Sequence, residues 1–281
     1  MVLSFLPVQG ALLAYQCFGT GPILLTIPGA NGDAAIFNEV APYLAQDFTV
    51  CTYDRRGYSN STLTGNATAE DLAMPYRLQR DADDAAALLS YVSGGDPGLV
   101  FGTSSGAVVA LELLQRHAGL VDFLIAHEPP LAHVLGGAWA EETYSVFEGI
   151  YQTFLADGVD AAALGFLGPG AANSTDVETQ AAYHALVDPA NRGNAELFFG
   201  HEIAAYTAVN ESIPELVGLK GKFVMDIGET CNIPSCNISA ILASEVGVDL
   251  YVTPGGHLGY VSEPEGFAEK VLSIFTAHGR A

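Results

Sequence analysis

Residues Gly98 to His117, GLVFGTSSGAVVALELLQRH, constrain this chain more than any other stretch. A short apolar run, Leu99-Val100-Phe101, leads into Gly102-Thr103-Ser104-Ser105-Gly106, and small and apolar residues at helical spacing follow. The pattern predicts a strand, a sharp turn and a helix, with Ser104 at the apex. A serine at that apex must accept a strained backbone, and a glycine two residues to either side leaves room for neighbouring main chain. The turn exposes the Ser104 hydroxyl. It also leaves the amide of Ser105 at a helix N-terminus, facing any developing negative charge.

The rest of the first half repeats a strand-and-helix rhythm. Residues 2–8 and 11–18 read as a strand pair joined at Gln9-Gly10, and Pro22 to Ile27 is an apolar run of strand length. That run ends in Pro28-Gly29-Ala30-Asn31-Gly32-Asp33, with a helix expected to about Gln46 and Asp33 as its cap or as a polar group at a pocket mouth. Two glycines let the main chain of this loop approach a ligand, so the amide of Ala30 is the candidate second donor beside that of Ser105. Phe48 to Tyr53 is the next strand, and the Asp54-Arg55-Arg56-Gly57 turn after it is read as structural, its charges stitching loop backbone. Residues 77–92 form an amphipathic helix whose acids are expected on a solvated face. Val121 to Ala126 is a strand running into His127-Glu128-Pro129-Pro130. Strands alternating with helices imply a parallel, doubly wound sheet with its ligand site at the carboxyl ends of the strands.

Between about residues 131 and 216 the strand rhythm stops. Helical patterns at 140–157, 176–188 and 193–208 are separated by Gly/Pro/Asn-rich breaks. A connection this long is too large for a loop and predicts a helical cap inserted over the site. It carries the single tryptophan, Trp139, and several aromatics, Phe199 among them, as candidate substrate contacts. His201 and Glu202 are read as a salt-bridged or solvated pair, with a functional role as the alternative. Strands resume at Lys222 to Ile227 and Val248 to Val252, the latter ending in Pro254-Gly255-Gly256-His257-Leu258-Gly259-Tyr260, and a last helix spans about 263–279.

Composition excludes several function classes. Of 281 residues only 10 are Lys or Arg against 32 Asp or Glu, a formal net charge of −22 that argues against nucleic acid and anionic membranes as partners. No run of about 20 apolar residues exists, so no transmembrane helix is expected. The N-terminus lacks a basic leader pattern, which points to a cytoplasmic protein. Four cysteines are too few for a disulfide scaffold. Cys17 and Cys51 fall in expected strands as buried thiols, whereas Cys231 and Cys236 flank one loop and are close enough in sequence to pair.

A serine hydroxyl needs a positioned base, and among the seven histidines His257, on a loop after the last strand, fits best. The base in turn needs a carboxylate to hold its tautomer. Most hydrolases with this elbow take that acid three residues after a glycine ending the next-to-last strand. Here the glycine is Gly228 and the third residue on is Cys231, which cannot serve. Glu128, at the tip of the strand bordering the elbow, is favoured over Glu229 and Asp226. The order Ser104, Glu128, His257 is the nucleophile, acid, base order of this fold. His127, its neighbour, should point to the opposite face.

The elbow, the Asp-x-Arg-Gly turn and the late Gly-His resemble the α/β-hydrolase superfamily over essentially the full length. Within it, G-T-S-S-G-A, H-E-P-P and P-G-G-H-L-G-Y-V-S-E-P resemble the fungal zearalenone lactone hydrolases. That resemblance implies a serine, a glutamate after the sixth strand and a histidine, with oxyanion amides at the positions of Ala30 and Ser105. It also implies a mostly parallel eight-stranded sheet, with a core of residues 1–130 and 217–281 and a cap of residues 131–216. The expected activity is cofactor- and metal-independent hydrolysis of a neutral, apolar small-molecule ester or lactone. Asn31, Asp33, Trp139, Phe199 and Tyr260 are the candidate substrate contacts. The alternatives are an amide, thioester or carbon–carbon bond hydrolase with the same triad, or a triad-retaining receptor with negligible turnover.

Overall fold

The computed structural model describes residues 2–65, 72, 76–168, 171, 186 and 188–280. Most of the helix expected at 176–188 lies outside the described residues.

Nine strands form one sheet in the order β1-β2-β4-β3-β6-β7-β8-β9, with the short β5 paired to β2. The strands are β1 (Ser4–Val8), β2 (Ala11–Gly19), β3 (Ile23–Ile27), β4 (Thr49–Tyr53), β5 (Thr62–Leu63), β6 (Gly98–Thr103), β7 (Val121–His127), β8 (Phe223–Gly228) and β9 (Leu250–Thr253). β1, β4 and β5 run antiparallel to β2, and every pairing from β4 through β9 is parallel. The doubly wound sheet is as expected. It has one strand more than the expected eight, because Thr62-Leu63 is too short to leave a pattern in the sequence.

Alternation along the central strands builds two cores. Val100, Leu124, Ala126, Phe223 and Met225 face one side, where they join α2 (Tyr76–Ser93), α3 (Ser105–Arg116) and α9 (Pro234–Val246). Leu99, Phe101, Phe123, Ile125 and Val224 face the other, against α1 (Ala41–Leu44) and α10 (Pro264–Ala277). Because both faces are covered, these strands are apolar throughout rather than alternating with polar residues. The expected helix after Asp33 is shorter than the pattern suggested. It divides into a 3-10 turn at Ala34–Phe37, which the Asp33 carboxylate caps by accepting from the Ala35 amide at 2.8 Å, and the single turn of α1.

Between β7 and β8 lie α4 (Gly137–Asp157), α5 (Val159–Phe166), α6 (Arg192–His201), α7 (Ile203–Thr207) and α8 (Ile213–Gly218). Phe147, Ile150, Phe166, Phe198, Phe199 and Ile203 form a third apolar cluster there, and Ala30 and Tyr58 of the sheet side pack into it. The helix expected over 193–208 breaks at Glu202, which leaves helical geometry and starts α7.

Two expectations are corrected here. The acids of α2 are not a solvated face: Asp81 and Asp84 are buried. Asp81 pairs with Arg55 at 2.9 Å and Arg77 at 3.4 Å, and Asp84 takes Arg56 in a two-point contact at 2.6 and 2.9 Å. Arginines from the turn after β4 pack down on this helix and neutralise these two acids inside, whereas Asp83 stays part-exposed against Arg116 and His117. Breaking one such buried pair costs about 3–5 kcal/mol, because it leaves the partner charge unmatched. Nor are Cys17 and Cys51 buried thiols. They are register partners across β2 and β4 and form a disulfide, with Cys17 exposed. Cys231 and Cys236 form a second.

Candidate active site

Ser104 stands between β6 and α3 with φ 54° and ψ −128°, a conformation few non-glycine residues adopt. Close packing explains the glycines around it. A Cβ at Gly106 would lie 2.3 Å from the carbonyl oxygen of Ile27, and one at Gly29 would lie 2.8 Å from Ser104 Cβ. The apex is therefore pressed against the loop after β3, whose residue Ala30 faces the same space as Ser104. Among the described residues neither the Ala30 amide nor the Ser105 amide has an acceptor within the protein.

At the next strand tip His127 continues the pleat into the core, among Phe101, Tyr260 and Phe267. Glu128 then leaves the pleat with φ 50°. Its fully buried carboxylate accepts the Gly228 amide on Oε1 at 2.8 Å and hydrogen-bonds Nδ1 of His257 through Oε2. Burial pushes the carboxyl pKa up, but His127, His257 and the Gly228 amide outweigh it and hold Glu128 below the usual carboxylate range. The group is an anion at neutral pH.

A second pair lies beneath the first. His127 Nδ1 meets Asp226 Oδ2 at 2.7 Å, Thr253 donates to the same oxygen at 3.0 Å, and His127 Nε2 meets the carbonyl of His257 at 3.1 Å. Burial lowers the His127 pKa, yet Glu128 and Asp226 overcome this and raise it to about 9. Ligating atoms of His127, Glu128 and His257 lie within 4.8 Å of one another. Both ring nitrogens of His127 are already engaged, so the trio is not a ready set of metal ligands.

Two cavities meet at Ser104 and His257. The narrow one, about 30 Å³, is walled by Phe147, Phe166, Phe198, Ile203 and Ile233, with Ser105, Glu202 and Tyr206 also on it. The wider one, about 330 Å³, is lined by Ala30, Asn31, Asp33, Glu39, Leu258 and Tyr260. No lysine or arginine lines either among the described residues. Such a site favours a neutral ligand with at least one apolar arm.

The structure thus brings Ser104, Ser105, Glu128, His257, Ala30, Asn31, Asp33 and Tyr260 to one end of the sheet. Two candidates do not join them. Trp139 sits on the first turn of α4, 44% exposed and lining neither cavity, because the buried stripe of that helix begins only at Ala140. Phe199 is wholly buried among Phe154, Phe166 and Phe198, and its neighbour Phe198 reaches the narrow cavity instead. The sequence reading missed Phe147, Phe166, Ile203 and Ile233 on the wall. It also missed the role of Glu202, which is paired with Arg55 and Arg77 and not with His201. Aromatic and apolar spacing in the 140–206 region was the available signal, but it could not separate lining from core.

A parallel sheet with a strained serine elbow, a histidine after the last strand and a buried carboxylate beside it defines a hydrolase architecture. The chain belongs to the alpha/beta hydrolase family, whose model matches residues 24–270. It is 30% identical to the uncharacterized hydrolase YraK of Bacillus subtilis over 95% of this chain and 93% of that protein. It is 25% identical to the zearalenone hydrolase of Bionectria ochroleuca over 96% of each. Among solved structures, a thermophilic esterase from Thermogutta terrifontis superposes with a TM-score of 0.72 at 17% identity, covering 95% of this chain and 94% of that one. Among the described residues no helix is long and apolar enough to cross a membrane.

Proposed function

We propose that this hydrolase cleaves carboxylic esters, with neutral lactones as the favoured class, through a serine–histidine–glutamate triad. The observation that carries the reading is the hydrogen bond from His257 Nδ1 to the buried, ionised Glu128, with the other side of His257 open to the cavities that Ser104 lines. In this reading His257 takes the Ser104 proton as the hydroxyl attacks the carbonyl carbon, and the oxyanion settles on the amides of Ala30 and Ser105. Glu128 fixes the tautomer that leaves Nε2 free and stabilises the imidazolium. His257 then gives its proton to the leaving alkoxide, and a water deprotonated by the same ring releases the acid. In a lactone both halves stay joined, so one ring-opened hydroxy acid results.

The helices between β7 and β8 act as the cap over this site, supplying the apolar wall of the narrow cavity. The preference for a lactone rests on that wall, on the cation-free lining and on the full-length likeness to a zearalenone hydrolase. The deciding experiment is turnover of a panel of simple p-nitrophenyl esters and macrolactones by the purified protein and by Ser104→Ala. Hydrolysis by the first and none by the second supports the reading. Equal turnover by both, or none by either, contradicts it.

A further inference from the structure

We propose that Arg55 is a positioning residue for the oxyanion site, setting and polarising the Ala30 amide from the far side of its own peptide plane. The inference rests on the proposed role of that amide. The Gly29 carbonyl and the Ala30 N–H belong to one planar trans peptide, so they point in opposite directions. Whatever grips the oxygen therefore aims the hydrogen. Two donors grip it: the Gly32 amide at 3.0 Å, closing a turn, and Arg55 Nη2 at 2.8 Å. The main-chain amide of Arg55 also donates to the Gly32 carbonyl at 2.8 Å, so this one residue holds both ends of the turn. Within the turn Asn31 takes φ 71°, a conformation with little intrinsic preference for staying put in a non-glycine residue.

The guanidinium is fixed in its turn. Nη1 donates to Asp81 at 2.9 Å and to Glu202 at 3.0 Å, while Nη2 also reaches the second Glu202 oxygen at 2.7 Å. Arg55, Asp81 and Glu202 are all fully or almost fully buried, where water does not compete. A cation on the carbonyl oxygen withdraws charge through the amide and makes the N–H a stronger donor, an effect enlarged in a low-dielectric interior. Glu202 comes from the break between α6 and α7, and its residue also lines the narrow cavity. The seating of these helices and the aim of the oxyanion donor are thereby one linked arrangement. A lysine cannot reproduce it, because one ammonium cannot hold Gly29, Asp81 and Glu202 in a planar fork.

The test compares Arg55→Lys and the double variant Arg55→Met/Glu202→Gln with the unaltered protein on one p-nitrophenyl ester. Thermal melts establish folding. The double variant leaves no lone charge at either altered position, so it keeps the question answerable if the single variant does not fold. Binding of a trifluoromethyl ketone, which becomes an oxyanion on Ser104, is measured against the methyl ketone of the same shape. A loss of the oxyanion donor's aim should lower kcat at least tenfold, within the ~100- to 1000-fold cost of losing a donor outright. Trifluoromethyl ketone affinity should fall in step, with methyl ketone affinity and KM within about threefold. A folded variant with unchanged kcat and an unchanged ketone ratio overturns the role of Arg55 while leaving the esterase reading intact. Absence of ester turnover in the unaltered protein overturns that reading itself, and the inference with it.

Discussion

Glu128 presents one carboxylate oxygen to Nδ1 of His257 while the Gly228 amide holds the other at 2.8 Å. The acid reaches the histidine from the tip of β7, across the end of β8. The residue that would supply it from β8 in most hydrolases of this kind is Cys231, which is tied to Cys236, and sulfur of that pair lies within 4.8 Å of the Glu128 carboxylate. The disulfide thus fills the neighbourhood that an aspartate side chain would need, and the glutamate approaches from the adjacent strand.

Ser104 should be the sole site of covalent modification by an organophosphonate ester. Mass spectrometry of the labelled protein is expected to place one adduct on the peptide spanning the elbow. Ser104→Ala should take up none, and an adduct on Ser105 in that variant would contradict the assignment of the nucleophile.

Phe198 and Phe199 should respond differently to truncation. Phe198→Ala opens the narrow cavity and is expected to raise KM for a bulky apolar ester several-fold. Phe199 is buried against Phe154, Phe166 and Phe198 and lines neither cavity at Ser104, and its truncation should cost about 3–5 kcal/mol of stability, the range for large-to-small changes in a packed core. Trp139→Ala should leave both quantities close to the unaltered protein. Urea titrations beside steady-state kinetics on the three variants separate these outcomes.

Charge on the substrate should matter. With Asp33 and Glu39 on the wider cavity and no cation among the described lining residues of either cavity, a hemisuccinate ester should show kcat/KM at least about tenfold below that of a neutral ester of equal size at low salt. Added salt should narrow the gap by screening the exposed acids. An anionic ester turned over as fast as its neutral counterpart would contradict this picture of the lining.

The buried His127 gives a pH signature of stability. Its pKa rises from 6.5 to about 9 on folding, because Glu128 and Asp226 outweigh its burial. A base raised in this way stabilises the fold fully below its unfolded value and loses that contribution as the pH climbs through the folded one. The urea midpoint should therefore fall between about pH 6.5 and 9.5, and His127→Gln should be less stable with a smaller fall. The same decline in both proteins would show that other groups cause it.

Much of this was legible in the chain. The parallel sheet, the elbow and the rhythm of the strands follow from local patterns: apolar runs of strand length, glycines at fixed offsets, and a break in rhythm after Pro130. What escaped depends on register or on tertiary partners. Cys17 and Cys51 look like ordinary strand residues until β2 and β4 are set in register and place them opposite each other. Asp81 and Asp84 read as surface acids because the arginines that bury them come from a turn more than twenty residues away in sequence. Phe198 and Phe199 differ by one step of helix, about 100° of rotation, which decides cavity wall against core and which no local pattern resolves. Glu128 was reachable because position three after Gly228 is a cysteine, but its turn out of the pleat at φ 50° is visible only in the fold.

The acid is the point on which the account turns. Steady-state kinetics of Glu128→Gln and Glu229→Ala on one ester, with melting curves to establish folding, test it most directly. Glu229 is exposed beyond the end of β8, and its removal should leave kcat within a few-fold. Glu128→Gln should lower kcat by about 100- to 10,000-fold in a folded protein, as loss of the carboxylate behind a catalytic histidine does. Full activity without the Glu128 carboxylate, or its collapse without that of Glu229, would contradict the mechanism.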